Sequence, residues 1–210
     1  MIKTLIRFSL APVLLFLLIV PAYSVESNDS DEPLLFLGNE KIAPIVYQEN
    51  GEAKGIAVDI VKALGEKIGR QIEVEATDWN TAQQRVSSGE ADALLQINPN
   101  PEREKVYDFS TELLKSEFSI FRSKGNISIN NIHDLKGKRA GVESGGYPFY
   151  LLQNYGDIEI VIIPTWGDGF KMIDSGELDA VVVDRWIGEY ELAKSRIRGI
   201  QVVEKPIESM

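Results

Sequence analysis

One arginine near the middle of this chain lies where a charged side chain could bind a ligand. Arg103 comes shortly after the segment "NPNP" at 98–101, which itself follows an apolar run. Two prolines restrict this corner, and Asn100 can cap a helix that begins at the second proline, so Arg103 has a defined place in the first turn. A guanidinium held there can bind a carboxylate through two parallel hydrogen bonds. The same residues also allow a surface arginine that pairs with Glu102 or Asp108.

An aspartate and a glycine pair occupy comparable places in the second half of the chain. Asp184 ends the apolar run "AVVV", and Gly145-Gly146 follow the run "RAGVE". Asp184 either accepts hydrogen bonds from an ammonium group or caps the helix that begins at Arg185. The glycines allow close backbone approach, and backbone N–H groups at a helix start suit an anion. Any tight turn between a strand and a helix also favours glycine.

Three apolar residues are candidates for the wall of a ligand site, and the residue types that the chain lacks exclude several kinds of chemistry. Ile45, Tyr47 and Trp79 could form an apolar wall beside a ligand, and each is equally suited to a core. The chain has no cysteine and a single histidine, His133, which lies in a polar segment. This excludes thiolate chemistry and argues against a histidine metal site or a Ser-His triad. We find no phosphate loop and no nucleophile with its base, so we expect no metal, no cofactor and no catalytic residue.

The elements that position these residues follow from alternating strand and helix patterns. The first half predicts strands at 34–37, 72–76 and 91–97, with helices at 55–69 and 81–88. The second half predicts strands at 139–143, 158–163, 178–184 and 200–203, with helices at 147–155, 168–174 and 185–195. The helix at 55–69 has an apolar stripe at Ile56, Ile60, Ala63, Leu64 and Ile68. Such alternation predicts mostly parallel sheets covered by helices.

An internal repeat indicates two similar units. Segments 79–97 and 166–184 both contain Trp, then Ser-Gly-Glu and Asp-Ala at the same spacing, then an apolar run. We therefore predict an α/β fold with two Rossmann-like lobes, at 34–110 and 131–204. An interlobe crossover at 111–130 joins them, and 205–210 begins a return to the first lobe. Ligands of such folds bind beyond the carboxyl ends of the strands, which predicts a cleft between the lobes.

The first residues have the pattern of a secretory signal peptide. Lys3 and Arg7 precede an apolar run at 10–20, and small residues at 22 and 24 suit cleavage after Ser24. The alternative, an uncleaved membrane anchor, requires a longer apolar run. We predict a signal peptide at 1–24, a flexible leader at 25–33, and a mature protein in the periplasm or at the extracellular face.

Removal of the signal peptide also removes two basic residues, so the net charge of −10 becomes −12. No basic cluster offsets this acidic balance, which argues against nucleic acid as a partner.

Four segments resemble blocks of a known family. These are "PIVYQENGEAKGIAVDIVKALGEKIG", "WNTAQQRVSSGEADALLQINPNPEREKVYDFS", "IHDLKGKRAGVESGG" and "SGELDAVVVD". Together they resemble the extracytoplasmic solute-binding proteins of family 3, which bind amino acids and have the type II periplasmic-binding fold. The resemblance extends over roughly 34–203.

The resemblance implies roles for particular residues. Arg103 would bind a ligand carboxylate, Asp184 would bind its amino group, and Ile45 and Tyr47 would pack against its side chain. The Gly145-Gly146 turn would add backbone donors to the carboxylate.

The sequence departs from the family pattern at four of its positions. Ile45 replaces an aromatic residue, and Gly146 replaces a hydroxyl residue. Asn98 and Asn100 replace a pair of serines or threonines.

The function implied by the resemblance is binding of an amino acid or related carboxylate. Such a protein serves uptake through an ABC permease or provides the input of a histidine kinase sensor. The alternatives are a dehydratase-like enzyme on the same fold and an interaction module that binds no small molecule. The chain stops at Met210, near the point where family members cross back, so the first lobe is expected to be incomplete at its C-terminal side.

Overall fold

The computed structural model describes residues 32–210. The predicted signal peptide and the leader up to residue 31 lie outside the described residues. The strands of the described part are β1 (Leu34–Asn39), β2 (Lys41–Ile42), β3 (Val46–Glu49), β4 (Glu52–Lys54), β5 (Ile72–Thr77), β6 (Ala93–Leu94), β7 (Glu117–Ser123), β8 (Arg139–Val142), β9 (Glu159–Ile162), β10 (Ala180–Asp184), β11 (Ile200–Val202) and β12 (Glu208–Ser209). Its α-helices are α1 (Ile56–Ile68), α2 (Trp79–Ser87), α3 (Tyr147–Gln153), α4 (Trp166–Ser175) and α5 (Arg185–Ser195).

The first lobe is built on a small parallel sheet with the strand order β5-β1-β6. The antiparallel strands β2, β3 and β4 form a second, three-stranded sheet beside it. Helix α1 buries Ala57, Val58, Val61 and Gly65. The predicted stripe was wrong, because Leu64 and Ile68 are 41% and 55% exposed. The helix is apolar on more than one side, so periodicity did not identify the buried face.

The second lobe is built on a larger sheet with the order β11-β7-β10-β8-β9. β10 lies between its neighbours with all five residues buried. It runs parallel to β8 and antiparallel to β7, while β8 runs parallel to β9. The α/β class and the two-lobed architecture with parallel strands at the centre are therefore confirmed.

Two predicted elements are shorter than expected. Instead of a strand over 91–97, only β6 forms, because Gln96 adopts a left-handed conformation with φ 58° and turns the chain. The predicted helix at Pro101 is a single 3₁₀ turn at Arg103–Lys105. The chain corner is therefore tighter than the sequence indicated.

The segment predicted as a crossover contributes a strand to the larger sheet. β7 lies within 111–130 and pairs with β10, β11 and β12. The last residues, predicted as the start of a return, also pair there, since Ser116 and Met210 exchange backbone hydrogen bonds of 2.7 and 3.0 Å.

One apolar cluster continues from one lobe to the other. It includes Val46 and Val58 of the first lobe together with Phe121, Phe170 and Val181 of the second. This shared core fixes the lobes against each other on one side of the cleft. Among residues 32–210, no helix has the length and apolar character needed to cross a membrane.

Candidate functional site

A cleft lies where the carboxyl ends of β1, β8 and β10 approach each other. It encloses about 490 Å³ of space, counting the part that is open to solvent. Five of the residues predicted from the sequence line it: Trp79, Asn98, Arg103, Gly146 and Asp184. The cleft is therefore where the rule for parallel α/β sheets places a ligand site.

Arg103 is the buried cation of this cleft, with 5% of its surface exposed. Its terminal nitrogens donate to the backbone oxygens of Asn98 and Gly145, each at 2.8 Å. Its Nε has no hydrogen-bond partner among residues 32–210. Burial lowers the pKa of this guanidinium. A guanidinium has five N–H donors, so donors remain for an incoming acceptor.

The asparagine corner positions this arginine. Asn100 Oδ1 accepts hydrogen bonds from the backbone N–H groups of Glu102 and Arg103, at 3.0 and 2.9 Å. The predicted cap therefore forms, although it caps a 3₁₀ turn. The guanidinium carbon lies 5.8 Å from the ring centre of Trp79 and 5.4 Å from that of Tyr150. Both distances suit a cation–π contact, which favours the charged form inside the protein.

Asp184 is a cleft residue and a helix cap at the same time. Its Oδ1 accepts a 2.9 Å hydrogen bond from the backbone of Trp186, and its Oδ2 accepts a 3.2 Å bond from the backbone of Glu117. The side chain is 6% exposed, and burial raises the pKa of this carboxyl. The two alternatives drawn from the sequence are thus compatible, since a carboxylate can accept about four hydrogen bonds.

The Gly145-Gly146 turn presents an acceptor where donors were predicted. Gly145 has φ 66°, and its carbonyl accepts from Arg103 and, at 3.0 Å, from Trp79 Nε1. The N–H of Gly146 donates to the backbone oxygen of Glu143 at 3.2 Å. The turn therefore fixes Arg103 and Trp79 of the first lobe against the second.

Ile45 and Tyr47 do not reach the cleft. Ile45 is buried in the shared apolar cluster, and its carbonyl accepts from Ala57 at the start of α1. Tyr47 lies in an outer groove beside Lys54 and Tyr190. Neither side chain lines the cleft, although Ile42 of the neighbouring strand β2 does.

Asn39 and Glu143 are among the polar cleft residues that the sequence reasoning missed. Asn39 ends β1, Glu143 directly follows β8, and Asn39 Nδ2 donates to both carboxylate oxygens of Glu143 at 2.8 Å. Burial raises the pKa of Glu143, opposed by this hydrogen bond and by the charge of Lys41. Their positions at strand ends were the signal that could have identified them.

Other missed residues complete the wall. Trp166 begins α4 as Trp79 begins α2, and both tryptophans line the cleft. The repeat could have indicated this pair. Phe118 and Tyr147 stack with ring centres 4.8 Å apart at the opposite wall. The cleft thus combines aromatic walls with charged groups.

The charges of the cleft are not paired with one another. Among residues 32–210, the arginines that form ion pairs are Arg85, Arg139 and Arg185, all outside the cleft. No group of three potential metal ligands was found in the same part of the chain. The buried Arg103 beside the buried Asp184 and the partly buried Glu143 is suited to a small molecule that has groups of both signs.

Comparisons with known proteins agree with this geometry. Residues 35–144 match the family model of bacterial extracellular solute-binding proteins, family 3. The arginine-binding extracellular protein ArtP of Bacillus subtilis (strain 168) is 33% identical over 137 residues, which cover 64% of this chain and 53% of ArtP. The L-cystine-binding protein TcyJ of Escherichia coli (strain K12) is 30% identical over 146 residues, which cover 68% of this chain and 55% of TcyJ.

A solved structure shares the fold. A histidine kinase sensor domain with similarity to periplasmic binding proteins matches with a TM-score of 0.78 and 22% identity, covering 86% of this chain and 80% of that one. The chain spans about half the length of the curated relatives named above. Those relatives bind two different amino acids by name, so the likeness leaves the ligand to be inferred from the cleft.

Proposed function

The chain belongs to the bacterial extracellular solute-binding proteins of family 3, and on that premise we propose that it binds an amino acid in the cleft between its lobes. The family and the curated relatives are binding proteins by name. We propose binding without turnover, so a bound amino acid would be recovered chemically unchanged.

The observation that supports this function most strongly is the buried guanidinium of Arg103. An Arg side chain is seldom buried without a counter-ion, because the loss of hydration is costly. Here Arg103 lines a cleft, and its solvent-inaccessible Nε has no partner among the described residues. A ligand carboxylate would accept from free N–H groups of this guanidinium, and so compensate for the lost hydration.

Asp184 supports the second half of the proposal. It lies on the other lobe, and its buried carboxylate lines the cleft, where the backbone N–H groups of Trp186 and Glu117 donate to it. An α-amino group bound there would link the second lobe to a carboxylate bound by Arg103 on the first. Such a ligand favours the closed arrangement of the lobes because it contacts both.

A thermal-shift screen of the mature chain tests this function. We expect at least one of the common L-amino acids, including L-cystine, to raise Tm. At a concentration one hundred times Kd, the stabilisation is about 2.7 kcal/mol, or roughly 5–10 °C for a chain of this size. Arg103→Ala and Asp184→Ala should each abolish the shift, since each removes one half of the ligand's polar contacts.

Lys105→Ala is the matched control, because Lys105 is an exposed cation two residues from Arg103 that pairs with Glu102. It should retain the full shift. Equal shifts in the wild type and in both cleft variants would show that the amino acid binds elsewhere.

Two outputs remain as proposals for the bound state. Delivery to an ABC permease is supported by the relatives that are named as binding proteins of amino-acid ABC transporters. Input to a sensor is supported by the fold shared with a histidine kinase sensor domain. Either output places the domain outside the cytoplasmic membrane, as the predicted signal peptide at 1–24 also requires.

A further inference from the structure

A buried serine lies in the cleft where the chain passes from the first lobe to the second. Ser116 is 0% exposed, directly precedes β7 and lines the cleft together with Asp184. Resting on the proposed function, we propose that Ser116 is a positioning residue, which holds the carboxylate of Asp184 in the orientation that binds the amino group of an amino acid.

The backbone around Ser116 fixes its place beside Asp184. The N–H of Ser116 donates to the backbone oxygen of Met210 at 2.7 Å, and its carbonyl accepts from the N–H of Met210 at 3.0 Å. The next residue, Glu117, donates from its N–H to Asp184 Oδ2 at 3.2 Å. The register of the sheet then places Phe118 opposite Asp184. Ser116 is therefore held two residues from the strand position that pairs with Asp184.

The hydroxyl of Ser116 contacts groups on both sides of the cleft. Gln96 Nε2 donates to Ser116 Oγ at 3.0 Å, which leaves the hydroxyl proton of Ser116 to be donated elsewhere. Burial raises the pKa of Asp184, while hydrogen bonds from the backbone of Trp186 and Glu117 and from the side chain of Ser116 lower it. The hydroxyl therefore favours the charged carboxylate, which is the form that attracts an ammonium group.

Gln96 of the first lobe orients this hydroxyl. It follows β6 and has φ 58°, a left-handed conformation that is costly for a residue other than glycine. Such a conformation persists only where the surrounding structure fixes it, and it is common at ligand sites. Here it accompanies the contact between the amide of Gln96 and Ser116. A polar chain thus extends from the first lobe through Ser116 to Asp184 on the second.

A second buried serine shows that burial beside Asp184 is not enough to make this contact. Ser119 is also 0% exposed and pairs in register with Val183, the residue before Asp184. Within residues 32–210, its Oγ has no hydrogen-bond partner. Comparison of the two serines therefore separates the hydrogen bonds of Ser116 from the general effect of removing a buried hydroxyl.

Isothermal titration calorimetry with two compounds tests the proposal. The first is the amino acid that gives the largest thermal shift, and the second is the same acid with hydrogen in place of its α-amino group. The wild type should bind the amino acid at least about tenfold more tightly than the desamino acid. Ser116→Ala should weaken binding of the amino acid about three- to tenfold and leave that of the desamino acid unchanged, since only the amino group contacts Asp184.

Three further variants make the test specific. Ser119→Ala is the matched control and should retain the wild-type ratio of the two affinities. Ser116→Thr keeps the hydroxyl and should restore most of that ratio. Gln96→Leu removes the amide that orients the hydroxyl but leaves Ser116 in place, and it should lower the ratio in the same direction as Ser116→Ala.

Three results would overturn the proposal. They are equal affinities of the wild type for the two compounds, a ratio that Ser119→Ala lowers as much as Ser116→Ala does, and a ratio that Ser116→Ala leaves unchanged. If Ser116→Ala does not fold, an unchanged ratio in Gln96→Leu overturns it. In each of these cases the wild type still binds an amino acid, so the proposed function stands. If no amino acid binds the wild type, both proposals fail.

Discussion

At the scale of single residues, the cleft holds charges whose burial lowers the stability of the protein. Arg103 and Asp184 are nearly inaccessible to solvent, and Glu143 is partly so. Burial shifts the pKa of each toward its neutral form, lowering that of Arg103 and raising those of the two acids. Sites whose buried charges lower the stability of the fold are typical of proteins that bind a ligand.

The raised pKa of Glu143 should make the stability of the folded protein depend on pH. Its pKa in the folded protein is raised above the ordinary 4.5, so the folded state holds the proton more tightly than the unfolded state. Stability contributed by Glu143 is therefore present below pH 4.5 and is lost as pH rises through the folded pKa. Glu143→Gln should raise the Tm of the ligand-free chain at pH 7 by a few degrees, on the order of 1 kcal/mol.

Thermal unfolding between pH 4.5 and pH 8 measures this difference. The gain from Glu143→Gln should shrink as the pH falls, because the wild-type side chain then becomes neutral. A difference in Tm between the two proteins that stays constant across this pH range would show that burial does not raise the pKa of Glu143.

The sequence predicted which side chains line the cleft where their position beside a strand end or a helix start decided this. Arg103, Asp184 and Trp79 reach the cleft because each follows directly from a strand end or a helix start. Ile45 and Tyr47 do not, because Ile45 packs into the apolar cluster shared by the lobes and Tyr47 lies in the outer groove, and no pattern in the sequence indicated the short sheet beside them.

At the scale of elements, the turn between β8 and α3 decides how the lobes meet. Gly145 has φ 66°, and a Cβ at this position would lie 2.6 Å from Asn80 Oδ1 on the first lobe. Its carbonyl accepts from both Arg103 and Trp79. A side chain here would strain the left-handed turn and displace the side chain of Asn80.

Gly145→Ala should therefore lower both stability and affinity. The left-handed backbone and the contact with Asn80 together should cost about 1–3 kcal/mol in urea unfolding. The affinity for the amino acid that gives the largest thermal shift should also fall. Gly156→Ala is the control, because a Cβ there meets nothing within 4 Å. Equal stability of the two variants would contradict the role given to the turn.

Helices and strands were predicted well where a capping residue lies next to an apolar run. They were predicted poorly where a single residue changes the direction of the backbone. Helix α5 matches its predicted bounds, and Asp184 caps it as expected. β6 is short because Gln96 takes a left-handed conformation. Glutamine is not a residue type from which this conformation can be predicted. β7 was read as a crossover because its alternation of residues gives no sign of which sheet it joins.

At the scale of the whole molecule, the two lobes share a core and also meet through the cleft. The apolar cluster that joins them lies to one side, while Asn39–Glu143 and the Gly145 carbonyl join them across the cleft. The repeat in the sequence made this two-lobed plan predictable. The polar contacts between the lobes were not predictable, since they depend on how two separate strand ends are oriented in space.

The central claim is that Arg103 binds the carboxylate of an amino acid between the lobes. The amine obtained by removing the carboxylate of an amino acid lacks only that group, so the ratio of the two affinities isolates the contact. By calorimetric titration, the wild type should bind the amino acid that gives the largest thermal shift at least about tenfold more tightly than the corresponding amine, and Arg103→Ala should bring the ratio close to one. Equal affinities in the wild type, or a ratio that Arg103→Ala leaves unchanged, would contradict the account.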